Sequence, residues 1–462
     1  MTRDSISTAQ LRDLVSRYDL SGPRYTSYPT APHFAPDFAP AQWLNAQAQS
    51  RQSGRPLSLY FHLPFCQSLC YYCGCNKVVT HNRARVDQYL NSLEKELQIQ
   101  AQLAGEQRRV TQIHWGGGTP TYLSHEHMRY LMALTREYFF VPRDGSAELA
   151  IEIHPGQTEL ETLKVLRQLG FNRLSMGVQD FAPEVQAAVN RYNTYEDVEA
   201  LIAYARELRF GSLNMDLIYG LPRQTPASFA QTLKTVIALR PDRLSLFNYA
   251  HMPRQIKSQR LINESELPTA EQKLSIFNRA VQQLSDAGYR HIGMDHFALE
   301  GDSLVQAQRD GRLQRNFQGY STGAECDLIG LGVSSISSVG NAYWQNHKSI
   351  KDYAVALATG QLPIERGITL SRDDEIRRWA INEILCHYRL NFAALEARFG
   401  LQVSHYFSAE LEQLEMLQGD NLVQVGTEEL AVTPLGKMVV RRIAMVFDRY
   451  LQGQALQYSK VI

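Results

Sequence analysis

The chain has 462 residues with 47 basic and 47 acidic side chains, no formal net charge at neutral pH, and 44% hydrophobic residues. That balance gives no cationic footprint for nucleic acid or an anionic membrane, so an anionic ligand has to be met by local cations. The polar N-terminus lacks the apolar core of a signal peptide, and no uninterrupted apolar run reaches membrane-spanning length, so a soluble cytoplasmic protein is expected. Length and apolar content suffice for one large unit and a smaller one.

Residues 1–20 read as a short amphipathic helix. Residues 21–34, SGPRYTSYPTAPHF, hold three prolines and no period, as in a loop or extended arm carrying Arg24, Tyr25 and Tyr28. From residue 57 to about 297 the pattern alternates. Strand-like runs at 58–63, 111–115, 149–154, 173–178, 213–220 and 243–249 are separated by amphipathic helical stretches, and 289–297 adds an edge strand. Strand and helix alternating six times predict parallel βα units, hence an α/β fold of partial (β/α)6 barrel type with helices outside. Residues 321–340 are small and Gly/Ser-rich, a turn-rich closing segment. Beyond about residue 373 come three helices, a hairpin around Gly426 and a long last helix, a winged-helix-like module read as a lid or packing unit. The expected divisions are 1–50 (helix and arm), 51–365 (barrel with its closing segment) and 366–462 (helical C-terminal unit).

Four of the six cysteines lie between residues 59 and 77, in LYFHLPFCQSLCYYCGCNK. Cys66, Cys70 and Cys73 form C-x3-C-x2-C, with Cys75 two residues on. Three thiolates this close can hold a [4Fe–4S] cluster and leave one iron open to a ligand. A zinc loop is the rival, but structural zinc usually recruits two pairs separated by a longer spacer, and no second pair follows. A disulfide framework fits less well, because Cys326 and Cys386 are scattered.

In a barrel of parallel strands the site lies at the C-terminal strand ends. The cysteine loop follows the first strand there, Gly116–Gly117–Gly118–Thr119–Pro120 follows the second, and Glu152 ends the third. Gln179, Asp216 and Asn248–Tyr249–Ala250 close the next three. A glycine triplet lets backbone approach a ligand closely. Glu152, a carboxylate inside a barrel, needs a partner. His62, His114, His154 and His296 show no metal-ligand spacing; His114 reads as a core residue and His62 as a neighbour of the cysteine loop.

C-x3-C-x2-C with an aromatic, Tyr72, before the last cysteine resembles the signature of the radical S-adenosylmethionine superfamily. The match narrows along the chain. GPRYTSYPTA, the cysteine run, IHWGGGTPTYL, FNRLSMGVQDF, MDLIYGLP, DRLSLFNYAH, GMDHFA and ECDLIGLGVSSIS resemble the oxygen-independent coproporphyrinogen III oxidases from about residue 21 to the C-terminus.

The resemblance implies an oxidoreductase of haem biosynthesis working without oxygen, with a [4Fe–4S] cluster and two S-adenosylmethionine molecules in one site. A 5′-deoxyadenosyl radical takes a hydrogen from propionate side chains of coproporphyrinogen III, and the ring A and B propionates become vinyls. It implies Cys66, Cys70 and Cys73 as cluster ligands and Cys75 as a non-ligand. Tyr60, Gly117, Glu152 and Ile336 match contacts to the cluster-bound cosubstrate. Tyr72, Gly118, Thr119, Gln179, Arg191, Asp216 and Ala250 match contacts to the second, and Arg24 with the arm's tyrosines matches a substrate-covering segment. Tyr60, Glu152 and Arg24 are the candidate catalytic residues, and Lys77 is a further candidate cation for the substrate. A monomer, an electron donor and an electron acceptor are expected, with no nucleic acid or membrane partner.

One departure stands out. Where the family usually reads Asp-Pro-Arg after the third-strand glutamate, this chain has His154–Pro155–Gly156, which puts in doubt whatever those two side chains contact. The rival functions are a haem-binding chaperone relative and another radical enzyme acting on a porphyrin. Chaperone relatives typically lack the N-terminal arm and the Cys-Gly-Cys-Asn-Lys ending, and this chain has both.

Overall fold

The computed structural model describes residues 8–18, 20–105, 108–323, 326–451 and 458–460. Its centre is a twelve-stranded sheet. The strands are β1 (Leu57–Leu63), β2 (Val110–Gly117), β3 (Glu148–Ile153), β4 (Arg173–Gln179), β5 (Ser212–Tyr219) and β6 (Arg243–Asn248), then β7 (Tyr289–Gly293), β8 (His296–Leu299), β9 (Asp327–Leu331), β10 (Ile336–Val339), β11 (Ala342–Asn346) and β12 (Ile364–Thr369). Their spatial order is β12-β11-β10-β9-β1-β2-β3-β4-β5-β6-β8-β7, so the sheet is open, with β12 and β7 at its edges.

β1 to β6 run parallel in sequence order, as the alternation predicts. Helices Ala84–Ala104, His125–Tyr138, Leu160–Gln168, Tyr195–Glu207 and Pro226–Leu239 make the crossovers. Period two sets the faces. Leu57, Leu59, Phe61 and Leu63 are buried in one core with Leu90, Leu93 and Leu97 of the first crossover helix, which leaves Tyr60 and His62 on the opposite face.

The segment 321–340 departs from expectation. It was expected to be turns, yet it holds β9, which pairs parallel with β1 from Leu57↔Asp327 to Phe61↔Leu331, and β10, antiparallel to β9. All five β9 residues are buried, and a Cβ at Gly330 would lie 2.6 Å from the Ile336 carbonyl oxygen. The small residues serve close strand approach rather than turning. Residues 324–325 within this segment lie outside the described residues.

The C-terminal part contains helices Arg372–His387, Phe392–Phe399, Val403–Tyr406 and Ser408–Gly419. The expected hairpin, Val423–Val425 with Glu429–Val432, gains a third strand, Arg389–Asn391. The expected long last helix is broken into Pro434–Lys437, Val440–Ala444 and two short 3-10 turns, because the β-branched Val439 leaves helical backbone at φ −125°, ψ 28°. Its last residue, 452, lies outside the described residues.

Of the N-terminal helix, Thr8–Tyr18 is described; residues 1–7 and 19 are not. Leu14, Tyr18, Tyr25 and Tyr28 join a second core with Ile384, Leu390, Phe407 and Phe447. The arm is thus built into the C-terminal part. Tyr25 donates to Asp448 Oδ2 at 2.9 Å, the Arg449 amide donates to the Tyr28 hydroxyl at 3.2 Å, and Arg441 donates to the Gly22 and Pro23 carbonyls. Among the described residues no helix is long and apolar enough to cross a membrane.

Candidate active site

The cysteine loop leaves β1 and returns to it. Phe65–Cys66 pairs with Val78–Val79, so the loop's two ends lie side by side. Between them the backbone is braced from several sides. The Tyr71 amide donates to Val189 O at 3.0 Å, and Asn190 Nδ2 donates to Leu69 O at 2.8 Å. Gln259 Nε2 donates to Tyr72 O at 2.9 Å and to Ala250 O at 3.1 Å, while Ser258 Oγ donates to Cys73 O at 3.2 Å. Cys66 and Cys70 are buried, Cys73 is half-buried and Cys75 exposed, all as free thiols.

Two side chains address the sulfurs: Thr119 Oγ1 lies 3.7 Å from Cys66 Sγ, and Arg191 Nη1 lies 3.7 Å from Cys70 Sγ. Burial pushes the Cys66 thiol up to about 11. A hydrogen bond with Cys75, together with Lys77 and Arg191, pulls Cys73 below the usual thiol range. Burial alone would lower Arg191; Tyr72 and the Cys70 sulfur more than offset it, so the guanidinium stays charged beside the loop.

Three thiols carried by one braced loop, with hydrogen-bond donors at two sulfurs, fit a cluster of several irons.

The inward face of β1 to β3 carries the next layer. Tyr60 stacks on His114 with ring centroids 5.8 Å apart, and the register pairs the two residues directly. His62 Nε2 lies 2.8 Å from Asn76 O, an acceptor only, so Nε2 carries the proton and Nδ1 accepts from the Tyr60 hydroxyl at 3.2 Å. His114 Nε2 lies 3.2 Å from Glu152 Oε1, and the Gly117 amide donates to Glu152 Oε2 at 3.3 Å. His114 is therefore the glutamate's partner and not the plain core residue expected from sequence. The Glu152 side chain is 41% exposed, which turns it toward the open mouth of the sheet.

The glycine turn is held by backbone. Gly118 donates to Leu63 O at 2.9 Å and Thr119 to Phe65 O at 2.8 Å. Gly117 has φ +110°, and a Cβ at Gly118 would lie 2.6 Å from the Pro64 carbonyl carbon, so both positions need glycine. These N–H groups are spent within the protein. An ammonium bound here would be met by Glu152 and carbonyl oxygens instead.

Across β4 and β5 the polar row continues. The register pairs Glu152 with Ser175 and Gly177 with Asp216. Asp216 accepts from Ser175 Oγ at 2.9 Å and Asn214 Nδ2 at 2.8 Å, while burial pushes its carboxyl upward. Gln179 sits at φ +72° just past a register shift, and Arg191 donates to Gly177 O from Nε at 3.1 Å. Cys66, Cys70, Cys73, Tyr60, Tyr72, Gly117, Gly118, Thr119, Glu152, Gln179, Arg191 and Asp216 thus line linked strand ends, and Ala250 joins through Gln259.

Three expected residues have other partners. Ile336 starts β10 and packs with Phe34 and Tyr343. Arg24 pairs with Asp295 at 3.0 Å beyond β6, and Lys77 Nζ donates to Cys73 O at 2.7 Å, so Lys77 serves the cysteine loop. Gln259 and Ser258 escaped the sequence reading. Their only signal is a polar pair in an otherwise unpatterned loop.

At the family-atypical triplet, His154 is buried with no partner for Nδ1, and burial followed by Arg191 holds its pKa down at about 3. A Cβ on Gly156 would collide with the Tyr192 carbonyl oxygen, so the backbone here has closed over the space a side chain would need.

Comparison with known proteins agrees with this geometry. The family model of the radical SAM superfamily matches residues 60–236, and that of the HemN C-terminal domain matches residues 370–439. The oxygen-independent coproporphyrinogen III oxidase of Pseudomonas aeruginosa is 49% identical over 97% of this chain and 98% of its own length. That of Escherichia coli K12 is 50% identical over 97% and 98%, and that of Helicobacter pylori 26695 is 40% identical over 97% and 98%. The solved structure of coproporphyrinogen III oxidase (HemN) from Escherichia coli, described as a radical SAM enzyme, superposes with a TM-score of 0.90 at 49% identity, covering 92% of this chain and 97% of that one. With likeness of this extent over nearly the whole length, and with the three-cysteine loop and its glycine turn in place, the chain belongs to the oxygen-independent coproporphyrinogen III oxidase family of the radical SAM superfamily.

Proposed function

We propose that this protein carries out the anaerobic oxidative decarboxylation of coproporphyrinogen III in haem biosynthesis, converting the ring A and B propionates to vinyls and releasing protoporphyrinogen IX. The observation that carries the reading is the meeting, at one mouth of the sheet, of the C-x3-C-x2-C loop with the ionised Glu152 and the Tyr60–His62–His114 group that orients it.

Cys66, Cys70 and Cys73 would hold a [4Fe–4S] cluster. That centre, with S-adenosylmethionine bound, would supply the one-electron chemistry for hydrogen abstraction from a propionate β-carbon, the conversion to a vinyl being balanced by loss of CO2 and of one electron to an acceptor. The chain's own residues do the rest. Glu152 offers a carboxylate to an ammonium, backed by His114 and the Gly117 amide. Arg191, held on Gly177, sits between Cys70 and the barrel interior as a cation for a carboxylate. Tyr72, Gly118, Thr119, Gln179, Arg191, Asp216 and Ala250 would serve a second S-adenosylmethionine.

The same reading has the barrel unit at 51–365 do the chemistry, with 366–462 and the arm closing over it. It makes the protein a cytoplasmic monomer, since thiolate ligands need a reducing compartment, served by an electron donor and an electron acceptor from outside.

The test is anaerobic turnover of the reconstituted protein with dithionite, S-adenosylmethionine and coproporphyrinogen III, following the porphyrin product by mass. Loss of two CO2 per molecule supports the reading. Tight haem binding with no vinyl product would replace it with the chaperone function.

A further inference from the structure

Beyond β6 lies a small polar cavity away from the cysteine loop, where family-like runs meet helix and C-terminal residues outside them. It has a volume of about 60 Å³ and is walled by Leu246, Phe277, Met294 and Val440. Three parts of the chain bring cations to it: Arg24 from the arm, Lys273 from helix Ala270–Asp286, and Lys437 and Arg441 from the C-terminal part. Asn248, at the C-terminal end of β6, adds a buried side-chain oxygen with no partner.

Among the described residues, one carboxylate lines the cavity with these four cations. Asp295 is already engaged by Arg24 at 3.0 Å and by His296 Nδ1 at 2.7 Å. Burial, then Arg24, draws the Arg441 guanidinium down to about 9, and its N–H groups already donate to the Gly22, Pro23, Ser459 and Lys460 carbonyls, so it brings charge to the cavity. The stem of Lys273 lies against Gly220 at the end of β5, with Nζ donating to Tyr249 O at 3.2 Å, so its ammonium is delivered to the strand ends. In a chain of zero net charge this concentration is local.

Charge and place narrow the ligand: the cations lining the cavity suit a carboxylate head. Its lining includes Tyr219, on the strand that carries Asp216, and Asn248 beside it on β6, so a ligand in the mouth can reach it with a side arm. Asn248 can turn its amide so that the NH2 faces an anion.

We propose that Lys273, Lys437 and Arg441, with Arg24, form a clamp for one carboxylate of the tetrapyrrole substrate, so that substrate binding ties the arm and the C-terminal part to the barrel mouth. The clamp rests on the decarboxylase reading above. It makes Lys273 and Lys437 specificity-determining residues that neither contact the cysteine loop nor belong to its motifs.

The experiment measures the anaerobic dissociation constant of coproporphyrinogen III for the reconstituted full chain, its Lys437→Met and Lys273→Met variants, and Lys437→Arg, with S-adenosylmethionine affinity measured in parallel. Each Met variant is expected to weaken substrate binding roughly tenfold, the loss of a charge-assisted contact. Lys437→Arg is expected to restore most of it, and S-adenosylmethionine affinity to hold within about twofold. Substrate affinity unchanged in both Met variants overturns the clamp while leaving the decarboxylase reading standing, and so does a parallel loss of S-adenosylmethionine affinity, which marks a structural role. Failure of the unaltered protein to bind coproporphyrinogen III overturns both.

Discussion

Desolvation pushes the Glu152 carboxyl up, yet His114, the Gly117 amide and His62 together draw its pKa below the ordinary value, so at neutral pH it is an anion facing the mouth. Glu152→Gln keeps the shape and removes the charge. It should weaken S-adenosylmethionine binding about tenfold to a hundredfold by calorimetry on the reconstituted protein, in line with a charge-assisted hydrogen bond, and leave iron content intact. Unchanged affinity would remove Glu152 from the cosubstrate site. His154 gives a second handle, since its folded pKa of about 3 lies below the ordinary value near 6.5. Between those two values the unfolded chain binds a proton that the folded one does not. The stability contributed by neutral His154 is complete above about pH 6.5 and is lost as pH falls, by roughly 2 kcal/mol between pH 6.5 and 5. His154→Gln should flatten the acid side of the melting profile, and an equally steep fall in the variant would contradict this. The oddity of His154 showed only through the family resemblance, whereas the cysteines and Glu152 were legible in the sequence because their chemistry is carried by residue type and spacing. The His114–Glu152 pair was not, because it depends on the β2–β3 register and on which face each strand presents, which alternation alone leaves open.

At the scale of elements, six strands and their crossover helices are readable because each alternates a buried apolar run with an amphipathic helix. β9 is hidden by the same physics that makes it useful. Its one glycine, Gly330, admits the Ile336 backbone, so composition suggests turns where the chain runs straight through the sheet beside β1. The glycine turn after β2 shows the converse, a motif whose meaning is geometric. A methyl at Gly118 meets the Pro64 backbone, which cannot swing aside as a flexible side chain would. Gly118→Ala is therefore expected to cost about 1–3 kcal/mol in a denaturant titration and to impair cluster reconstitution, because the Cys66 end of the loop moves with Pro64. A variant as stable as the parent, with full iron content, would show that the turn has slack the geometry does not reveal.

Across the whole molecule, the arm ties the N-terminal region to the C-terminal core: Tyr25 and Tyr28 are buried there, and the partner of Tyr25 is Asp448, 423 residues away. No local pattern encodes a contact of that separation. Burial raises the Asp448 carboxyl and the Tyr25 hydroxyl bonds it, so Tyr25→Phe leaves a buried acceptor short of its donor. That change should lower stability by about 1–3 kcal/mol and loosen the arm, read as faster proteolysis near residue 22; no change in either would detach the arm from the C-terminal core. The most direct test of the whole account is turnover with coproporphyrinogen III deuterated at the propionate β-carbons, reading deuterium in the 5′-deoxyadenosine formed. The account predicts deuterium in 5′-deoxyadenosine in step with vinyl groups made. Vinyl product accompanied by unlabelled 5′-deoxyadenosine would contradict it.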